Sequence, residues 1–391
     1  MVCIVQKFGG TSVATLERIK SVADIIAHTY KNGQRVVAVV SAMAGVTNRF
    51  IGYVHSLNAY EGDPEYDQVV SSGELITAGL LAIALKNLGI MAKSYSSWQV
   101  PILTDSNYGH AIIRKVDPGN LQMDIATGII PVICGFQGIN SENRITTFGR
   151  GGSDLTAVAI AAAIDASLCE IYSDVDGVYT VDPNLCSEAK RIDEINYYEM
   201  LEMASQGAKI LQEQSVDYAM KRNVVIRVAS SFVQSVGTII SAKMSSKDFR
   251  GFAVTPSLSQ IRVLHNESAN SVIDILEKRL IKAEIVEQEE PSRIDILLDK
   301  KKTAIALNML KSCPFVKSAR QIVARKTLSR ISIIGSSVSP KTGKILVEVL
   351  KSKKIEVFGL SIINYRANLI VSSDKLLEAI ALLHRHCGLE K

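Results

Sequence analysis

The chain has 391 residues, of which 47% are hydrophobic and 21% charged. That is about two and a half typical domains, so two or three domains are expected, with ample material for buried cores. No apolar run approaching the ~18 residues of a membrane span is read from the sequence. The opening MVCIVQKFGG has neither a basic leader nor a small-residue cleavage site. A cytoplasmic protein without membrane association is therefore expected. The six cysteines are scattered and form no C-x-x-C, which excludes a zinc knuckle or disulfide framework and points to buried thiols. Residues 1–240 carry a net charge of −6 and residues 241–391 one of +11, while 20 of the 25 glycines fall in the first stretch. Two differently built halves are expected to meet near residue 240. The basic residues of the second half are dispersed among its elements, so nucleic-acid binding is not expected.

In chain order, residues 2–8 and 35–40 read as buried strands, with Leu16, Ile19, Val22, Ala23 and Ile26 on one face of the helix between them. Further strands are expected at 131–136, 169–173 and 224–228, and helices at 72–88, 153–165 and 198–221. This alternation implies an α/β domain with a mainly parallel sheet sandwiched by helices. It contains neither a P-loop signature nor a G-x-G-x-x-G opening a helix. Beyond it the rhythm becomes β-α-β-β-α-β, and it recurs some 70 residues later, which implies two small ferredoxin-like repeats. The expected boundaries are 1–240 for the α/β domain, 241–258 for a linker, and 259–327 and 328–391 for the repeats.

Four clusters that can carry chemistry stand where strands end. Lys7-Phe8-Gly9-Gly10 places a lysine and two glycines before a helix, which suits an anion or an ordinary tight turn. Ser41 to Asn48 is small and hydroxylated, and Thr47 either caps a helix or meets a ligand. In Ser71-Ser72-Gly73-Glu74, the glutamate either favours its helix N-terminus or binds an ammonium group. In Thr146-Thr147-Phe148-Gly149-Arg150-Gly151-Gly152-Ser153-Asp154, a planar guanidinium among glycines can grip a carboxylate or phosphate. There, no structural need for Gly-Arg-Gly-Gly is evident, and Asp154 is a possible helix cap. Ser173-Asp174 through Tyr179 forms a turn-rich stretch suited to a nucleoside, and Lys209 supplies a second lysine.

Together these stretches resemble the amino-acid kinase family, and within it the aspartate kinases, nearly end to end. TTFGRGGSD followed by SDVDGVYTVDP and paired ACT-like repeats carries the resemblance most specifically. It implies transfer of the ATP γ-phosphoryl group to the β-carboxylate of L-aspartate, the first step toward lysine, threonine, methionine and diaminopimelate. A carboxylate is already a nucleophile at neutral pH, so the task is to screen charge and align two anions. By resemblance, Lys7, Asp154 and Lys209 are catalytic. ATP is held by Lys7, Phe8, Gly9, Gly10, Ser41, Ser173, Asp174, Tyr179 and Lys209, with Mg²⁺ carried mainly on its phosphates and no protein metal site. Aspartate is held by Thr47, Glu74, Arg150, Gly151, Gly152 and Ser153. A homodimer through the repeats is implied, with an amino-acid effector possible. The alternatives are another member of the same family or a catalytically silent amino-acid-sensing subunit.

The chain departs from the family at four places. Asp182-Pro183 is followed by Asn184 instead of arginine, and Gln212-Glu213 stands where His-Pro is frequent. The loops at 266–270 and 337–343 lack the usual Pro-Gly, which implies weak feedback inhibition or none. The ending His384-Arg385-His386-Cys387 looks like a ligand set, but its spacing reads as a solvated helix end.

Overall fold

A computed structural model describes every residue except 1, 208–209, 245–246, 266–268, 280, 291, 322–326 and 391. The chain forms two compact units. One comprises Met1–Val178, Arg191–Leu201 and Lys209–Ser245; the other comprises Tyr179–Lys190, Glu202–Ala208 and Ser246–Lys391. Two short segments within residues 1–240 thus belong to the second unit.

The first unit is built on eight strands lying in the order Glu194–Asn196, Thr238–Ser241, Ile226–Ser230, Leu168–Ser173, Cys3–Phe8, Arg35–Val40, Ile130–Cys134 and Ala92–Tyr95. All neighbours are parallel except Ile226–Ser230 against Thr238–Ser241. Both faces of a parallel sheet are covered, which is why Cys3–Phe8 and Arg35–Val40 are buried at nearly every residue instead of alternating. Between them runs the helix Leu16–Lys31, started by Thr15 accepting from Arg18 N and burying Ile19, Val22, Ala23 and Ile26. A smaller sheet of Ile113–Val116, Ile102–Thr104, Gln137–Ile139 and Ile145–Thr147 leads the chain into residues 148–151.

Two expectations for this unit need correction. Helices Pro64–Val70 and Ser72–Asn87 follow almost without a break. Together they are long and apolar enough, at a mean hydropathy of 1.5, to cross a membrane by length and composition alone. Half of that stretch is buried, and Ala78, Leu81, Ala82 and Leu85 pack into the protein's own core, as a core helix does. The single helix expected at 198–221 is instead two, Tyr197–Ser205 and Glu213–Arg222. The chain turns at Gly207, with φ +104, and is extended at Gln212.

In the second unit both repeats share one sheet, ordered Ala283–Glu290, Arg293–Asp299, Gly251–His265, Leu328–Ile334, Arg366–Ser372 and Val357–Ile363, with Val316–Gln321 also paired to Gly251–His265. The linker expected at 241–258 is therefore strand from Gly251 onward. Residues Gly251–Thr255 pair with Leu328–Ile334, and Leu258–Leu264 pair with Arg293–Asp299, across an irregularity where Ser257 has φ +59. The physical reason lies in the second repeat, which has three strands after residue 327; a segment from before the first repeat completes its ladder. Pro256 interrupts the apolar run and makes this stretch read as a connection. Each repeat keeps its own core, around Ile261, Val272 and Ile296 in one and Ile331, Leu346 and Ile380 in the other.

The C-terminal helix Leu376–His386 also differs from expectation. His384 is fully buried, edge-on to Phe252, with Nε2 2.9 Å from Thr180 Oγ1, and burial pushes its pKa below the ordinary histidine value. Ligand-capable atoms of Cys186, Glu188 and His384 lie within 4.8 Å of one another. All six cysteines are free thiols, and Cys134, Cys169 and Cys186 are buried.

The shared strand is packed closely enough to test. A Cβ on Gly251 would stand 2.6 Å from the Thr180 carbonyl oxygen. Gly251→Ala should therefore lower stability by about 1–3 kcal/mol, read as a melting temperature a few degrees below wild type. An unchanged or higher melting temperature would refute this close packing of the strand.

Candidate active site

Strands Cys3–Phe8, Arg35–Val40 and Leu168–Ser173 run parallel and in register, so Phe8 stands beside both Val40 and Tyr172. Their following turns consequently open on one edge of the sheet, where ligands collect in open α/β folds. A cleft of about 450 Å³ lies there. It is lined by Lys7, Gly10, Ser41, Thr47, Glu74 and Arg150, together with Gly151, Gly152 and Ser153. Nine of the expected site residues, far apart in sequence, are brought together.

At the floor, Lys7 Nζ lies 2.5 Å from Asp154 Oδ1, both side chains being 9% exposed. Asp154 sits in the first turn of the helix Gly152–Ala163, whose cap is Gly151 with no side-chain hydrogen bond. It is therefore a partner of Lys7 rather than a cap. The helix N-terminus beside the lysine keeps its dipole directed at the cleft. Thr47 is not a cap either, because helix Val46–Ser56 begins at Gly45, again without a side-chain cap. Glu74 reaches away from its own helix end. Its Oε1 accepts from Ala42 N at 2.9 Å, while Oε2 is buried without a hydrogen-bond partner. Burial pushes its pKa up to about 8, the Ala42 hydrogen bond pulling the other way.

Arg150 is exposed, lines the cleft and makes no ion pair among the described residues. The glycines around it have structural reasons after all. Gly149 and Gly151 have φ of +72 and +71, and a Cβ on Gly151 would stand 1.7 Å from Gln212 Cγ. The departure at Gln212 thus lies against this turn. Gly10 is needed for a close approach, since its Cβ would meet the Ala42 carbonyl oxygen at 3.0 Å.

Not every expected residue is placed in the cleft. The Phe8 side chain is buried and stacked on Tyr172 at 4.9 Å, which leaves only its backbone for a ligand, and Gly9 N donates to Tyr172 O. Ser173 and Asp174 do not line the cleft, but they end a strand beside Cys3–Phe8 at the same sheet edge. Tyr179 belongs to the other unit, and Lys209 lies outside the described residues. Sequence reasoning missed Tyr66, Phe136 and Glu61, which also line the cleft. Tyr66 and Glu61 carry no spacing signal, whereas Phe136 stands in the run Gly135-Phe136-Gln137-Gly138.

An anionic phosphate chain fits the groups present: a buried lysine, an uncapped helix N-terminus and a glycine turn whose packing leaves no room for a side chain. The sequence profile of the Amino acid kinase family matches residues 2–230. An aspartokinase of Pseudomonas aeruginosa is 36% identical over 98% of this chain and 97% of its own. The chain belongs to the aspartokinases, within the amino acid kinase family. An aspartokinase of Rickettsia felis is 47% identical over 62% of each chain. Escherichia coli aspartokinase III, solved in complex with aspartate and ADP, shares the fold of this kinase at a TM-score of 0.80. It is 24% identical, with 98% of this chain and 99% of that one covered.

The orphaned oxygen of Glu74 makes the site pH-sensitive. With a pKa of about 8, Glu74 should be protonated at pH 7 in the empty enzyme and ionise as pH rises through 8. Difference infrared spectroscopy should show a protonated-carboxyl band that fades over that range and is missing in Glu74→Gln. A Glu74 already ionised at pH 6 would contradict the effect assigned to its burial.

Proposed function

We propose that this cleft carries out the aspartokinase reaction with the residues in the following roles. A β-carboxylate oxygen of L-aspartate attacks the γ-phosphorus of ATP. The bond from that phosphorus to the β,γ-bridging oxygen breaks, and ADP leaves with the electron pair, giving 4-phospho-L-aspartate. The observation that carries the assignment is the convergence of Lys7–Asp154, Arg150 and Glu74 on one cleft. Aspartate offers one ammonium group and two carboxylates, and the cleft lining offers the carboxyl groups of Glu61 and Glu74 and the cations of Lys7 and Arg150.

Lys7 neutralises the phosphoryl group in flight, and Asp154 holds its ammonium in place; a charge fixed in advance and sheltered from water is worth most at the transition state. Arg150 grips the α-carboxylate with its planar fork, helped by Ser153 and the backbone of Gly151 and Gly152, while Thr47 orients the substrate. Glu74, with one unsatisfied oxygen, binds the ammonium group. Below pH 8 it must give up a proton to do so. Ser41, Gly9, Gly10 and the backbone of Phe8 face the nucleotide, with Ser173, Asp174, Tyr179 and Lys209 assigned to it as well. Mg²⁺ would arrive on the ATP phosphates and offset their charge.

The chain is proposed to be a cytoplasmic homodimer. Support comes from the strand Val357–Ile363, which among the described residues has a partner on one side only and so leaves a ladder edge that a second copy can satisfy. An amino-acid effector is proposed to act weakly if at all. In the segment 337–343, Ser339 Oγ accepts from Thr342 N and Thr342 Oγ1 donates to Ser337 O, so these two hydroxyls are already engaged. The corresponding expectation for residues 266–268 lies outside the described residues.

Lys7→Ala and Asp154→Ala should each reduce acyl-phosphate formation, trapped as the hydroxamate, by at least about a thousandfold, with circular dichroism confirming that the variant is folded at the assay temperature. Wild-type turnover in either variant would sink the assignment. In sedimentation, the wild-type chain should run as a dimer, and Ile363→Lys, which charges the sheet edge, should shift it toward monomer. A dimer indifferent to that substitution would place the interface elsewhere.

A further inference from the structure

Asp67 is fully buried on the short helix Pro64–Val70. Its Oδ2 accepts from Gly109 N at 2.9 Å and from Thr147 N at 2.7 Å, and its Oδ1 accepts from Thr147 Oγ1 at 2.9 Å. All three groups donate, so the carboxylate is satisfied as an anion. Burial pushes its pKa up, and the hydrogen bonds from Gly109 and Thr147 counter that.

What these bonds connect gives Asp67 its significance. Its helix runs through Ser71 into the helix that carries Glu74. Thr147 ends a strand three residues before Arg150 and itself lines the cleft. Gly109 belongs to a loop seated against the Arg150 turn, since a Cβ on Gly149 would stand 3.1 Å from the Gly109 carbonyl oxygen. One carboxylate thus fastens together the elements bearing the two charges between which the amino acid is proposed to lie. We infer that Asp67 is a positioning residue for the amino-acid substrate: it fixes the separation of Glu74 and Arg150 and so sets aspartate affinity without touching aspartate. The inference rests on the proposed roles of Glu74 and Arg150.

Asn at this position keeps the shape but turns one acceptor into a donor facing other donors, and a charge-assisted hydrogen bond is lost. In the full-length enzyme Asp67→Asn should raise the aspartate KM roughly tenfold while the ATP KM moves less than about twofold. A merely structural loss would lower the amount of active enzyme and leave both constants alone. Thr147→Val, which removes one of the three bonds, should shift the aspartate KM in the same direction, and Thr147→Ser should restore it. The double variant should be no worse than Asp67→Asn, because both act through one contact. Arg150→Lys and Glu74→Gln serve as references. If they raise the aspartate KM and neither Asp67→Asn nor Thr147→Val does, the inference is overturned and the site assignment stands. If the references leave the aspartate KM unchanged, the site assignment falls and takes this inference with it. Should Asp67→Asn fail to fold, Thr147→Val and its rescue by serine decide alone.

Discussion

An ammonium group withdrawn from water costs several kcal/mol unless an opposite charge stands beside it. Lys7 meets that condition through Asp154, at 2.5 Å, and much of the first unit follows from keeping the two together. The lysine comes from the end of the sheet's inner strand, and the aspartate from the first turn of a helix more than 140 residues later. For that turn to arrive there, the chain must leave the small sheet, reverse through two glycines of positive φ and enter the helix without a capping side chain. The same reversal leaves Arg150 at the surface of the cleft. Charge pairing at the floor and charge exposure at the rim are thus two results of one backbone path.

Glu74 illustrates the opposite arrangement. Among the described residues it pairs with no cation, with one oxygen on the Ala42 amide and the other without a hydrogen-bond partner. Such a group resists ionisation until a cation arrives, which makes it selective for a ligand that brings its own positive charge. The cleft therefore holds one charge prepaid by a partner and one that waits for its ligand.

Much of this was legible in the sequence. Glycine-rich and hydroxylated runs at strand ends foretold the turns, and the strand at 35–40 matches its expected bounds residue for residue, because buried parallel strands are continuous apolar runs. The capping alternatives for Thr47, Glu74 and Asp154 could not be settled from spacing, since a cap and a ligand-facing group occupy the same first turn. Asp67 was invisible: a buried acid whose partners are two backbone amides and a hydroxyl leaves no pattern. Pro256 and Ser257 hid the continuity of strand Gly251–His265, and the burial of His384 depends on Thr180 and Phe252, distant residues that no local rule connects to it.

That long strand also orders events in time. Gly251–Thr255 emerges from the ribosome some 80 residues before Leu328–Ile334, with which it pairs, and the first repeat lies wholly between them. The first repeat can close on local contacts as it is made, whereas the second must wait for nearly the last residue. Until then an apolar strand remains unpartnered, and pairing across such a sequence separation is slow. A ribosome stalled late on this message would hold a finished kinase sheet and a finished first repeat tethered to an exposed strand, which is the point in its synthesis at which the nascent chain is most prone to associate with its neighbours.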